Sequence, residues 1–154
     1  MVGEAVTIEV DRELIYDLAL SLVGLPYRYG GASPMEGLDC SGLCVELLQA
    51  WGRVGHGTDL SAQGLHDRFK MLASTLGAGT KPDFGWLAFY GKGPAVVTHV
   101  GFCLSGNSIL EAGGGDAQTT TLEAAIKRRA FVRVRPIKYR RDFLCCYPTA
   151  PGAV

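Results

Sequence analysis

A cysteine, a histidine and a glutamate lie in three short motifs whose residue types and order fit nucleophilic catalysis: Asp39-Cys40, His99 in AVVTHVGFCL (95–104) and Glu111 in SILEAGGG (108–115). From Cys40 to Trp51 the apolar residues Leu43, Cys44, Leu47, Leu48 and Trp51 recur at three- and four-residue intervals, with Glu46 and Gln49 on the other face. That period predicts a helix packed on one side. Asp39 is placed to cap its first free amides, and Gly52 follows the last periodic residue. Cys40 therefore falls in the first turn, where unpaired amides and the positive end of the helix dipole favour thiolate, the form that attacks a carbonyl carbon. Asp39 opposes that charge, so a cationic partner is required. The competing reading makes Cys40 a small core residue of the Leu43, Cys44, Leu47 stripe. Zinc is not expected: Cys40 and Cys44 are four apart, and no second close Cys or His pair completes a tetrahedron.

Three histidines compete as base. In AVVTHVGFCL, Val96, Val100, Phe102 and Leu104 alternate with Val97, His99, Gly101 and Cys103, the pattern of a strand with one apolar face. His99 points away from the greasier side, and Gly101 leaves space beside it for another group to approach. His56, in the turn VGHGTD, and His66, in the polar stretch SAQGLHDRF, read as solvated surface residues.

Register decides whether Glu111 reaches His99. A two-residue turn at Gly106-Asn107 pairs Glu111 with Phe102 and sends it to the wrong face. A three-residue loop, Ser105 to Asn107, sets Glu111 opposite Gly101 and diagonal to His99 on the same side. The second register is the one expected. Glu111 then fixes the imidazole tautomer and favours the imidazolium that stabilises a Cys40 thiolate.

The elements that must hold these residues read as helices first and sheet second: helices over 12–23, 40–51 and 60–73, then strands over 86–90, 96–104 and 108–112. Thr120 and Glu123 form a capping-box pattern opening a short helix through Arg128. FVRVRP (131–136) alternates as a strand ending at Pro136, and FLCCYP adds an edge strand. This is an α+β chain of one domain, 1–154, with a single core. Its 47% apolar content excludes disorder, and its 21 glycines suit short strands and tight turns.

With 15 basic and 15 acidic residues the net charge is zero, so no electrostatic attraction to nucleic acid is expected. The arginines alternating with Val132 and Val134 read as a solvated strand face, with binding of phosphate or a polymer as the functional alternative. Five cysteines, with Cys145 and Cys146 adjacent, describe no disulfide framework, and a catalytic thiol needs a reducing compartment. The first residues lack a basic start before a long apolar run, and Asp17 interrupts Leu14 to Val23. Neither signal peptide nor membrane insertion is expected, which points to cytoplasmic synthesis.

Four stretches together resemble the NlpC family of cell-wall cysteine peptidases. GLPYRYGG (24–31) is similar to its Gly-x-Pro-Tyr-x-Trp-Gly-Gly motif, LDCSGL (38–43) to its Asp-Cys-Ser-Gly nucleophile motif, THVGF (98–102) to its His-Val-Gly strand, and ILEAG holds the third position. They fall in family order from about Leu14 to Arg135. Tyr29 stands where the family usually has tryptophan, and Glu111 where it commonly has a second histidine.

The resemblance implies a papain-like fold of N-terminal helices packed on a small antiparallel sheet. It implies hydrolysis of peptidoglycan stem peptides, typically between D-glutamate and a diamino acid, through a thioester on Cys40 and without a cofactor. It also implies that Asp39 and Ser41 contact the substrate's amino end; as residues they are ordinary caps. The Cys40 amide can help bind an oxyanion, and a Tyr27 hydroxyl that reaches the cleft adds a donor, unless Tyr27 only packs. A compact catalytic unit without a wall-binding module suggests an enzyme carried by a phage particle, with particle components as partners, or released at lysis. Recycling of imported wall peptides is the other route. The alternatives in function are a CHAP-type amidase or endopeptidase, and an idle structural or wall-binding tail component.

Overall fold

The computed structural model describes residues 11–76 and 81–149. Asp11 caps α1 (Arg12–Ser21) by accepting from the Glu13 amide, and α1 buries Ile15 and Ala19. A two-residue ribbon, β1 (Ala32–Ser33) and β2 (Gly37–Leu38), leads into α2 (Cys40–Ala50), which is followed by α3 (Ala62–Leu76). Then come β3 (Leu87–Gly93), β4 (Val96–Cys103), β5 (Ser108–Gly113), α4 (Leu122–Arg128), β6 (Phe131–Pro136) and β7 (Phe143–Tyr147). Helices precede sheet, as the α+β reading expected. The ribbon escapes sequence reading because two-residue strands carry no period.

The main sheet is antiparallel in the order β6-β5-β4-β3-β7. The β4–β5 hairpin pairs Phe102↔Leu110 and Cys103↔Ile109, with the Leu104 amide donating to the Ser108 carbonyl. This is the register of the three-residue loop, and it puts Glu111 on the face of His99. FLCCYP does supply an edge strand, β7, paired with β3.

Helices α2 and α3 cover one face, where Leu43, Cys44, Leu47, Leu65 and Phe69 meet Phe89, Val100, Phe102 and Leu110. The expected single core is corrected by a second apolar cluster on the other face, formed by Ala88, Tyr90, Cys103, Ile109 and Ile137. Because β6 and β7 lie at opposite edges, residues 137–142 must cross the sheet, and they bring Ile137 and Tyr139 over that face. Both faces of β4 are thus buried, so His99 does not sit on a polar side. Nor is there open space at Gly101: a Cβ there would lie 2.7 Å from Ile109 Cδ1, so the isoleucine already fills it.

Two further expectations are corrected. His66 is 1% exposed, its ring 5.3 Å from that of Phe89 and 5.4 Å from that of Tyr147. Its polar neighbours Gln63, Asp67 and Arg68 disguised a position that shares the buried stripe of Ala62, Leu65 and Phe69. The N-cap of α4 is Thr121, which accepts from the Ala124 amide, not Thr120. Thr120 still belongs to the preceding turn, its amide donating to the Gln118 carbonyl. Among the described residues no helix is long and apolar enough to cross a membrane.

Candidate active site

The first turn of α2 is built by Asp39. Its Oδ1 accepts from the Gly42 amide at 2.7 Å and from Ser41 Oγ at 3.2 Å, while Oδ2 accepts from the Gly30 amide at 3.1 Å. The carboxylate is therefore a cap and also a tie between the glycine-rich loop and the helix. Gly42 explains why that contact needs a missing side chain: a Cβ there would lie 2.0 Å from the Gly31 carbonyl oxygen. Among the described residues the Cys40 amide has no protein partner, since Asp39 takes Gly42 and the Leu43 amide returns to the Asp39 carbonyl. A free donor thus sits beside the thiol.

Cys40 is half-buried, whereas Cys44, one turn on, is fully buried and its thiol is pushed up, first by burial and then by the nearby Cys40 and Asp39 charges. The stripe thus separates one accessible thiol from one inert one. All five cysteines are free thiols.

β4 places His99 against Cys40. His99 is 6% exposed, its Nε2 lies 2.9 Å from Glu111 Oε1, and Cys40 is near enough to raise its pKa. With Nε2 engaged by Glu111, Nδ1 is the nitrogen left to the thiol. Burial works against the imidazolium, but the hydrogen bonds and charges of Cys40 and Glu111 outweigh it, and the pKa rises to about 9. Tyr90, the register partner of His99 on β3, backs the imidazole with its ring 5.4 Å away.

Glu111 is fully buried. Burial alone favours the neutral acid, yet hydrogen bonds from His99, Tyr139 and Arg133 hold the carboxyl down at about 2. Arg133 Nε donates to Oε2 at 3.0 Å, and the Tyr139 hydroxyl donates to Oε1. Sequence reading assigned no site role to Tyr90, Arg133 or Tyr139. Alternation along β6 is the signal for Arg133, and pairing with β5 sets it opposite Glu111 instead of leaving it solvated. Of the other basic residues, Arg128 pairs with Asp116 and Arg140 with Asp142, so these two meet internal carboxylates.

Tyr27 is 8% exposed and packs on Gly115, where a Cβ would fall 2.1 Å from its ring. Its pKa is raised, chiefly by burial and next by the charges of Cys40 and Asp39, so the phenol keeps its proton beside the thiol. His56 is exposed. The structure thus gathers Cys40, His99 and Glu111, with Tyr27, Asp39 and Ser41 around the thiol, and leaves His56 and His66 outside.

Residues 24–136 match the NlpC/P60 family. The chain is 33% identical over 104 residues to the probable peptidoglycan endopeptidase LytE of Bacillus subtilis, covering 68% of this chain and 28% of that protein. It is 28% identical over 129 residues to the bifunctional muramidase/DL-endopeptidase CwlT of the same organism, covering 82% and 36%. The chain thus spans about a third of these curated relatives' length. Among solved structures, an NlpC/P60 family protein from Bacillus cereus superposes with TM-score 0.63 at 16% identity, over 94% of this chain and 42% of that one. The NlpC/p60 domain of the peptidoglycan hydrolase SagA gives 0.55 at 22% identity, over 90% and 98%. Four motifs in order, the helix-borne thiol against a strand-borne imidazole, and a match over most of the chain agree: the protein belongs to the NlpC/P60 family.

Proposed function

We propose that the protein is a cysteine endopeptidase that hydrolyses a peptide bond in peptidoglycan stem peptides through a thioester on Cys40. The observation that carries this reading is that His99, held by Glu111 at 2.9 Å, lies close enough to Cys40 for the thiol to raise its pKa, while among the described residues the Cys40 amide has no protein partner. In the reaction the Cys40 thiolate attacks the scissile carbonyl carbon, and the amides at the start of α2 receive the developing oxyanion. Tyr27 supplies a second donor. As the tetrahedral intermediate collapses, the imidazolium of His99 gives its proton to the leaving amine. Neutral His99 then takes a proton from water, which attacks the thioester and releases the acid product and the thiolate. Glu111 keeps Nε2 protonated throughout, so that Nδ1 is the nitrogen that exchanges protons. Asp39 and Ser41 lie at the mouth of the thiol and contact the amino end of the peptide. No step calls on a cofactor.

The bond between D-glutamate and a diamino acid is the proposed target. A relative named as a DL-endopeptidase supports it. The test is to incubate the protein and its Cys40→Ala variant with purified peptidoglycan and defined muropeptides, and to identify the products by mass spectrometry. Fragments of a cut D-glutamyl bond, made by the native protein and absent with Cys40→Ala, are expected. Release of intact stem peptide from the glycan would instead show an amidase. No cleavage by the native protein, with a Cys40 that resists alkylation, would sink the enzymatic reading.

A further inference from the structure

We propose that Arg133 and Tyr139 are positioning residues of this site: acting through Glu111, they hold its carboxylate in the one orientation that aims Oε1 at His99 Nε2. The inference rests on reading Cys40, His99 and Glu111 as nucleophile, base and orienting group.

The geometry fixes both carboxylate oxygens. Glu111 and Arg133 are direct register partners on β5 and β6, and Arg133 Nε donates to Oε2 at 3.0 Å. The Tyr139 hydroxyl donates to Oε1, the same oxygen that meets His99 Nε2 at 2.9 Å. Turning the carboxylate about its last torsion would break a bond at each end. A fully buried carboxylate also needs a countercharge and filled acceptor sites, and Arg133 supplies the cation whether or not His99 is protonated. His99 changes charge during the proposed cycle, so a permanent cation on Oε2 keeps Glu111 ionised when the imidazole is neutral.

The fold reserves space for this contact. Gly113 follows Glu111 on the same face, and a Cβ there would lie 2.1 Å from Glu111 Oε2 and 3.0 Å from Arg133 Nη2. Tyr139 is placed by a separate device. The Tyr90 hydroxyl donates to the Ile137 carbonyl at 2.6 Å, which fixes the segment crossing the sheet, while the Tyr90 ring backs His99. The ionisable groups bonded to Glu111 are His99 from β4, Arg133 from β6 and Tyr139 from the crossing segment, and its charge also reaches Tyr90 on β3 and Cys44 on α2.

The test compares Arg133→Met, Arg133→Lys and Tyr139→Phe, each alone and in a Glu111→Gln background, in muropeptide cleavage between pH 4 and 9. The expected result for Arg133→Met and Tyr139→Phe is a fall in kcat of about tenfold or more with KM within about twofold. The acid limb of the profile should move upward as Glu111 becomes easier to protonate. Arg133→Lys should recover part of the loss, and in Glu111→Gln the second substitution should cost less than about twofold, because groups acting through one residue are not additive. Equal losses with and without Glu111 would reduce both residues to a structural role and overturn the proposal.

A second readout does not depend on turnover. In the native protein the His99 Nε2 proton bonded to Glu111 should appear as a downfield, slowly exchanging NMR signal. Tyr139→Phe, which removes a single oxygen and tests the idea even where an Arg133 variant fails to fold, should shift that signal and quicken its exchange. An unchanged signal in Tyr139→Phe and in folded Arg133→Lys would refute the positioning role, whether or not the protein cleaves peptidoglycan.

Discussion

His99 and Glu111 meet at 2.9 Å across two strands whose backbone pairing has already ended, the last pair on that side being Phe102↔Leu110. Their contact is therefore made by side chains alone. It depends on the hairpin register set at Ser105 to Asn107 and on whatever holds the carboxylate from behind.

The His99 proton follows from this pairing. Its folded pKa of about 9 lies above the ordinary value of 6.5, so the stability it contributes is complete below about 6.5 and is lost as pH rises through about 9. Nitrogen-detected NMR titration should place the transition near 9 in the native protein and lower in Cys40→Ala, where the thiol's hydrogen bond and charge are gone. A transition that ignores the substitution would show that Cys40 and His99 do not form an ion pair.

Glu111 has the opposite sign. Its carboxyl is held at about 2 against an ordinary 4.5, so its stabilisation is complete above about 4.5 and disappears as pH falls through about 2. Urea unfolding of Glu111→Gln should lose this part of the acid dependence. The same variant is expected to lower kcat by roughly 10²–10⁴, the usual range for a misoriented general base. Near-native turnover would remove Glu111 from the machinery.

Gly42→Ala tests the join between the glycine-rich loop and α2. The new Cβ would lie 2.0 Å from the Gly31 carbonyl oxygen and 2.9 Å from Asp39 Oδ1, so loop or helix must move. Overpacking of this kind costs about 1–3 kcal/mol. Denaturant titration should show that loss together with slower cleavage, because the displaced turn carries Cys40.

Asp39 separates capping from substrate contact. Asp39→Ala should cost about 0.5–2 kcal/mol as a lost cap, while Asp39→Asn, which keeps an acceptor oxygen, should retain most of the stability. If Asp39→Asn is as stable as the native protein but has a raised KM, the charge serves the substrate. If KM is unchanged, the cap accounts for the residue.

His66→Ala should weaken the fold by about 2 kcal/mol or more, as for other large-to-small changes in a core, since the ring is buried against Phe89 and Tyr147. Turnover per folded molecule should stay near native. Thermal unfolding and active-site titration together check this, and a selective loss of kcat would return His66 to the candidates for base.

Much of the site was legible because local chemistry dictates it. An apolar period beginning at Cys40, with a capping aspartate before it and a glycine after it, specifies a helix whose first turn holds a thiol, and the fold contains that helix as Cys40–Ala50. Alternation around His99 and a three-residue loop before Ser108 specify the face on which Glu111 lies. These are signals of period and turn length, which operate over a few residues and so survive in one dimension.

Tertiary structure decided what surrounds that triad. Whether His66 is wet or buried depends on α3 docking against Phe89 and Tyr147, contacts with no trace in its polar neighbours. Whether β4 has a free face depends on β6 and β7 taking opposite edges, which drags residues 137–142 across the sheet and delivers Tyr139 to Glu111. Arg133 has the pattern of an exposed strand charge, yet β6 pairs beside β5 and sets it opposite a buried carboxylate. Local pattern is enough to specify the helix-borne thiol, the strand-borne imidazole and the hairpin register that puts Glu111 on the imidazole's face. Only the folded chain determined how their charges are balanced, because burial and countercharge come from segments far apart in sequence that meet only when the sheet is assembled.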